Sequence, residues 1–188
     1  MNLKHALIRP LGFALRGKRA GKEKSYRYNP NLKSPKGFNL RSADFKDGGT
    51  IPLKCCGEGV GHNLSPQLSW SGAPKTTKQF LLIMEDYDVP FKEPLLHMVA
   101  LISATTKTVK SGAFTPDNPQ IKFIPGFKGH LGYAGPRPFP GHGIHHYCFH
   151  LYALDTVLDK DYSKLEDALP HIRGHILAGA HLVGVKER

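Results

Sequence analysis

Three short apolar segments constrain the fold of this 188-residue chain more than any other feature. They cover residues 80–84, 95–102 and 147–154, and each has the length of a strand rather than of a helix. Alternate residues of the third segment share one face of an extended chain. Polar residues adjoin the ends of these segments. The pattern predicts buried strands whose ends bring those polar residues to one rim.

The rest of the chain supplies further short elements. Fifteen prolines and 20 glycines favour many short elements joined by turns over a helical bundle. Residues 51–55, 68–70 and 180–185 are candidate strands. One late helix is predicted by a capping-box pair, Ser163 and Glu166, and by apolar residues at helical spacing: Leu165, Leu169, Ile172 and Ile176. Pro170 either kinks this helix or marks a later start. The order favours a mainly β chain, a β-sandwich with small helical additions.

The positive charge is concentrated at the N-terminus. Residues 1–46 hold twelve Lys and Arg and two acids, and therefore carry +10 of the formal net charge of +11. Attraction to a membrane surface or to nucleic acid is expected only there. Residues 1–37 are interpreted as a basic N-terminal extension and residues 38–188 as one domain.

The extension allows two interpretations. Arg9 and Pro10 interrupt any signal-like apolar run, so a secretory signal is not expected. Its apolar residues at helical spacing are Leu3, Leu7, Leu11 and Ala14. In the simpler interpretation they pack on the domain, and in the other they rest on a membrane surface. Three cysteines, two of them adjacent, predict no disulfide framework and favour a reducing, cytoplasmic setting.

The candidate site combines carboxylates and imidazoles. Asp86 and Asp88 would point the same way on a strand, and His97 interrupts an apolar segment. Such a group could serve acid–base chemistry, a metal or a protonated partner. The simpler alternatives are an aspartate that caps a turn and a histidine satisfied in the core. A stiff loop over residues 132–143, followed by His145, could offer backbone N–H groups to an anion or could be a plain connector.

Other chemistries have weaker support. His171 and His175 are four apart, but no third ligand is near in sequence, so no metal or other cofactor is expected. No Gly-x-Ser-x-Gly elbow occurs, and Cys148 lies in an apolar segment, so no catalytic residue is assigned.

Taken together, several motifs resemble the phosphatidylethanolamine-binding protein family, in particular its bacterial and archaeal Raf-kinase-inhibitor-like branch. The resemblance covers about residues 38–188 in the family's order. It is carried by Asp86-Tyr87-Asp88-Val89-Pro90 with His97-Met98-Val99, by residues 135–147 with Gly135-Pro136 and His145-His146-Tyr147, and by residues 63–70, 149–155 and 174–184.

The resemblance implies an antiparallel Greek-key β-sandwich with a rim pocket for phosphate-like or carboxylate anions, including phospholipid head groups. The ligand-binding positions that it implies are Asp86, Asp88, Pro90, His97, Gly135, Pro136 and His145. Kinship also implies a protein partner in signalling and pairing as a homodimer. Tyr87, Met98 and His146 depart from the family's usual Pro, Trp and Arg, which puts the identity of the ligand in question more than the fold.

The expected function is therefore non-enzymatic binding of a small anion, with a kinase-inhibitor-like regulatory role as an extension. The alternative is a hydrolase or metal-dependent enzyme that uses Asp86, Asp88 and His145 as acid, base or ligands.

Overall fold

The computed structural model describes residues 3–188, with side chains from residue 8 onward. These residues form two α-helices and nine strands, with several single 3₁₀ turns between them. The helices are α1 (Leu3–Leu15) and α2 (Leu165–Ile172). The strands are β1 (Asn39–Arg41), β2 (Gly49–Thr50), β3 (Leu68–Ser71), β4 (Gln79–Asp86), β5 (Leu95–Ser103), β6 (Thr108–Val109), β7 (Ile121–Ile124), β8 (His145–Leu154) and β9 (Ile176–Lys186).

The strands form two sheets. A three-stranded sheet has the order β1-β3-β6, and a six-stranded sheet has the order β2-β9-β8-β4-β5-β7. The pairs are antiparallel except for the short β2, which runs parallel to β9. The mainly β, predominantly antiparallel fold predicted from the sequence is confirmed.

The six-stranded sheet is buried on both faces. Side chains that alternate along β4 and β8 pack on one side against the small sheet and its loops, in a core that includes Trp70, Phe80 and Phe149. The opposite side packs against α2 and against Leu32 of the N-terminal extension. This two-sided burial explains why the central strands appear in the sequence as continuous apolar runs.

Four of the predicted strands are confirmed as β3, β4, β5 and β8. The prediction for residues 51–55 is wrong, because Leu53–Cys55 form a 3₁₀ turn after Pro52. The last strand begins earlier than predicted, at Ile176, so this residue belongs to β9 and not to the helix.

Helix α2 begins at Leu165 and ends two residues after Pro170, so the proline lies inside it. The predicted capping box is absent. Lys164 occupies the N-cap position without a side-chain hydrogen bond. The hydroxyl of Ser163 instead donates to Asp167 Oδ2 at 2.6 Å.

The N-terminal extension lies against the domain, but not through the predicted apolar stripe. Leu11 is 52% exposed and Ala14 is exposed, whereas Leu3 and Leu7 lie outside the described side chains. Contact is made instead through Gly12, where an added Cβ would come within 1.9 Å of the Pro140 carbonyl oxygen. The interpretation that this stripe packs on the domain is therefore wrong for the side chains that are described.

Among residues 3–188, no helix combines the length and the apolar character that crossing a membrane requires. Cys55, Cys56 and Cys148 are free thiols and all three are buried.

Candidate functional site

The polar residues singled out in the sequence meet where β4 ends and β8 begins. Asp86 is the last residue of β4 and lies opposite Tyr147 of β8. His145 is the first residue of β8. Because neighbouring antiparallel strands bring the end of one beside the start of the next, residues 59 apart in sequence come into contact: His145 Nδ1 lies 2.7 Å from Asp86 Oδ2.

A β-bulge positions His97. On β5, Met98 lies opposite Met84 and Leu96 lies opposite Glu85, so His97 between them has no partner residue on β4. A bulge of this kind bends the strand and redirects a side chain, which is why bulges are common beside binding sites. The His97 ring packs edge-on against Tyr147, with ring centroids 5.2 Å apart.

The imidazole of His97 has one satisfied and one unsatisfied nitrogen. Its Nδ1–H donates to the Ala134 carbonyl at 2.6 Å. Its Nε2 is buried and has no hydrogen-bond partner. Burial lowers the pKa of His97, assisted by the positive charges of Arg137 and His145 and opposed by Asp86. The neutral ring therefore carries its proton on Nδ1 and presents a bare Nε2 lone pair.

His97 lines a cavity of about 510 Å³. Its charged lining groups are Arg137, Lys128 and Glu58, which give it two fixed cations and one acid. The remaining walls are backbone and apolar or neutral side chains: Gly57, Asn63, Leu95, Leu96, His97, Phe127, Gly129, His130, Ala134 and Gly135. At the rim, Phe127 stacks on the exposed Phe91, with ring centroids 6.3 Å apart.

Gly135 makes the back wall of the cavity possible. An added Cβ there would lie 2.4 Å from the Cys55 carbonyl oxygen and 2.6 Å from the Gly57 nitrogen. Only glycine lets the two backbones approach so closely. The Gly135 N–H donates to Asn63 Oδ1 at 2.8 Å, and Asn63 Nδ2 donates to the Tyr133 carbonyl at 3.2 Å. One asparagine therefore joins two loops that line the cavity.

On the other side of Tyr147 lies a cluster that we call the acid–histidine end. It comprises the acids Glu85, Asp86 and Asp88 and the imidazoles His142, His145, His146 and His150. Its innermost contact is the Asp86–His145 pair, in which both side chains are 2% exposed. His145 Nε2 lies 2.8 Å from His142 Nδ1, so both nitrogens of His145 have partners.

The other two acids of the acid–histidine end are also fully engaged. Asp88 Oδ2 accepts from the backbone N–H of His146 at 2.7 Å and lies 2.8 Å from its Nδ1. Glu85 points to the opposite face of the sheet, where it is fully buried and pairs with His150 Nε2 at 2.7 Å. His150 in turn lies 2.8 Å from His181, whose pKa is lowered to about 3 by burial first and then by His150.

The structure thus divides the predicted binding residues into two groups. His97 and Gly135 line the cavity. Asp86, Asp88 and His145 meet close by but are buried and already hydrogen-bonded. Pro90 and Pro136 do not line the cavity, although the Pro136 carbonyl accepts from Gly57 N–H at 3.0 Å. The ligand-binding role of all seven stays a prediction.

Several residues at the site were not singled out for it in the sequence. Arg137 lies within the motif at residues 135–147 but was not named as a site residue, and Glu58 and Lys128 line the cavity from loops that carried no motif of their own. His142 lies within the Gly- and Pro-rich loop, three residues before His145, and that spacing was the available signal. Within the described part of the chain, no group of three or more His, Cys, Asp or Glu side chains could hold a metal ion.

The fold and the site define a class of protein: a β-sandwich with a small, partly charged cavity at the ends of its central strands. The model of the phosphatidylethanolamine-binding protein family matches residues 41–187, and the chain belongs to this family.

Relatives and solved structures agree. A UPF0098 protein of Methanothermobacter thermautotrophicus is 38% identical over 160 residues, covering 80% of this chain and 99% of that protein. A phosphatidylethanolamine-binding protein homologue from Chlamydia trachomatis, CT736, superposes with a TM-score of 0.72 at 32% identity, covering 81% of this chain and 98% of that one. Escherichia coli YbcL gives 0.70 at 27% identity, covering 80% and 98%.

Proposed function

We propose that this protein binds a small phosphorylated or carboxylated molecule, such as a phospholipid head group, in the cavity beside His97. One observation carries the proposal: His97, whose buried Nε2 has no hydrogen-bond partner, lines a cavity that Arg137 and Lys128 also line. A buried polar atom without a hydrogen bond costs about 1–3 kcal/mol, which a ligand that satisfies it recovers. The family name, phosphatidylethanolamine-binding protein, supports the same ligand class.

The ligand's chemistry follows from the lining. An anion beside His97 favours the protonated ring, whose Nε2–H then donates to it. Arg137 and Lys128 supply further positive charge, while Glu58 suits an ammonium group on the same ligand. Phe127, Leu95 and Leu96 give the apolar part of a ligand a surface to contact. Phosphoethanolamine combines these features in one small molecule.

Calorimetric titration tests the site. Phosphoethanolamine, phosphate and acetate are titrated into the wild-type protein and into His97→Ala. We expect His97→Ala to weaken phosphoethanolamine binding by at least about tenfold, since it removes a charge-assisted hydrogen bond. The control is His171→Ala, which removes an imidazole from α2 that does not line the cavity. Equal affinities in His97→Ala and the control would contradict the proposal.

The proposal also fixes the sign of a pH effect. His97 has a lowered pKa in the free protein and a raised one beside an anion, so binding takes up a proton between those two values. Affinity should therefore fall as the pH rises through this interval, by up to about tenfold per unit. Titrations in buffers of different ionisation enthalpy measure the uptake directly. No uptake on binding near neutral pH would exclude His97 as the group that titrates.

Binding rather than catalysis is proposed because Asp86, Asp88 and His145 do not line the cavity. A phosphatase and esterase panel addresses the hydrolase alternative: turnover that Asp86→Asn abolishes, with the fold retained, would favour an enzyme. A regulatory protein partner and a homodimer are further proposals. The exposed Phe91 and Phe127 pair is the surface to test for both, by light scattering of a Phe91→Ser variant against the wild type.

A further inference from the structure

Residues 15–28 cross the acid–histidine end as a strap that follows α1 and contains two 3₁₀ turns, Lys22–Lys24 and Tyr26–Tyr28. The backbone holds the strap to the loop after β4, because Ala20 N–H donates to the Val89 carbonyl at 2.9 Å and Gly21 N–H to the Tyr87 carbonyl at 3.1 Å. In addition, the strap reaches all three acids of the acid–histidine end, each by a different chemistry.

Asp88 forms an ion pair with Arg19 of the strap. The Arg19 guanidinium donates to Asp88 Oδ1, and the same nitrogen lies 2.9 Å from the Ile144 carbonyl oxygen. The Asp88 side chain is 7% exposed and that of Arg19 is 31% exposed. A partly buried Arg–carboxylate pair is worth more than a surface one, because less water competes for either group.

Glu85 is reached from the other face of the sheet. The buried Ser25 hydroxyl donates to Glu85 Oε1, and the Tyr26 backbone N–H lies 3.1 Å from both carboxylate oxygens. A buried carboxylate needs several donors to offset its loss of hydration. The strap supplies two of the three that Glu85 receives, and His150 supplies the third.

Asp86 is reached through a chain of two imidazoles. His142 Nε2 lies 2.9 Å from the Leu15 carbonyl and 3.0 Å from the Lys18 carbonyl of the strap. Carbonyls only accept, so this nitrogen carries a proton. The His142–His145 contact needs a second proton and the His145–Asp86 contact a third. Two neutral imidazoles beside an ionised carboxylate supply only two protons. The complete series of hydrogen bonds from the strap to Asp86 therefore requires one extra proton.

The surroundings place that extra proton on His145. The pKa of His142 is lowered by burial and then by His145 and Arg19, against the opposing effect of the two strap carbonyls. A neutral His142 with Nε2–H bound to the strap turns its Nδ1 lone pair toward His145. Other charged or titratable groups near His145 are Asp86, Tyr147 and His97; burial and Asp86 raise the pKa of Tyr147 well above its usual range, so it stays neutral. His145 then donates from both nitrogens, one of them to Asp86.

We propose that residues 15–28 are a displaceable intramolecular ligand of the acid–histidine end, docked by a shared proton and antagonistic to anion binding at His97. Docking fixes the His142 tautomer that accepts from protonated His145, so docking and this proton favour each other. Loss of this proton breaks one hydrogen bond of the series and loosens the strap. A charged His145 also disfavours a second positive charge on His97, the charge that the proposed anion requires.

Amide hydrogen exchange in the full-length chain tests the docking without any ligand. Arg19→Ala should speed exchange at Ala20 and Gly21 by about tenfold, because it removes the pair with Asp88. The control, Lys22→Ala, removes an equal charge from an exposed residue of the strap and should change the rates less than about twofold. Phe149 in β8 is the internal reference: unchanged exchange there separates strap release from global unfolding.

The shared proton has its own readout. After correction for intrinsic rates, protection at Ala20 and Gly21 should fall when the shared proton is lost, and His142→Leu should abolish this dependence. Nitrogen-15 spectra should show both ring nitrogens of His145 protonated in the wild type. Equal exchange in Arg19→Ala and Lys22→Ala, or a His145 ring with one proton, would overturn the proposal.

Antagonism is measured with inorganic phosphate. This experiment rests on the proposed function. Arg19→Ala should bind phosphate about threefold more tightly than Lys22→Ala. Equal or weaker binding by Arg19→Ala would refute the antagonism. If no variant binds phosphate or phosphoethanolamine, the proposed function fails, whereas the exchange data still decide whether the strap is displaceable.

Discussion

The cavity and the acid–histidine end differ in one respect: His97, which lines the cavity, has a buried nitrogen without a partner, whereas Asp86, Asp88 and Glu85 are all hydrogen-bonded. His97 keeps a buried nitrogen without a partner beside an open volume of about 510 Å³. Asp86, only a short distance along the same sheet, is paired with His145, and through it with the N-terminal extension.

This difference shows that a cluster of acids and histidines does not by itself mark the place where a ligand binds. Buried polar groups are nearly always satisfied, so the informative group is the exception. On the acid–histidine end the chain satisfies its own polar groups. At His97 it leaves one buried nitrogen without a partner.

The largest expected effect is a loss of stability that differs between a glutamate of the acid–histidine end and a glutamate of the cavity. Glu85→Ala removes a buried carboxylate that serves His150, Ser25 and Tyr26, and should lower the free energy of unfolding by about 3–5 kcal/mol. Glu58→Ala removes an exposed carboxylate from the cavity wall and should change it by less than about 0.5 kcal/mol. Urea unfolding followed by circular dichroism measures both. Comparable losses would remove the distinction between a satisfied and an open region.

The next effect tests whether the cavity wall is rigid. Gly135→Ala forces a methyl group against the Cys55 carbonyl and should cost about 2–3 kcal/mol. At Gly17, an added Cβ has no atom within 4 Å, so Gly17→Ala should stay within about 0.5 kcal/mol of the wild type. Thermal and urea denaturation of the two variants give the comparison. Similar stabilities of Gly135→Ala and Gly17→Ala would mean that the cavity wall adapts easily to a methyl group.

The smallest effect concerns a departure from the usual family residue. Tyr87 stacks on His146 with ring centroids 5.6 Å apart, next to Asp88. Tyr87→Ala should cost about 0.5–1 kcal/mol, the typical value of such a ring contact. Tyr28→Ala removes an exposed ring without an aromatic partner and serves as the control. A Tyr87→Ala variant as stable as this control would mean that the stacked ring contributes nothing to the acid–histidine end.

The central sheet could be predicted because burial on both faces leaves a plain signal in the sequence. The apolar runs became β4, β5 and β8, and their polar ends did converge. The failures were local. Residues 51–55 contain the apolar pattern of a strand, yet Pro52 precedes a turn there, and a capping box was inferred where Lys164 is the N-cap.

The division of the site could not be predicted in the same way. A bulge depends on the register between two strands, and nothing in the residues around His97 states which of them lacks a partner. The docking of Arg19 on Asp88 joins residues 69 apart and depends on where the extension crosses the domain. Composition revealed the positive charge of that segment but not the acids that it contacts.

The bulge at His97 has a consequence for how this site can change. Leu96 and Met98 already oppose consecutive residues of β4, Glu85 and Met84, so the sheet would remain in register without the residue between them. The pairing of β4 with β5 therefore does not depend on His97. If the proposed function holds, substitution at this position changes the ligand preference while the hydrogen bonds between β4 and β5 on either side are kept.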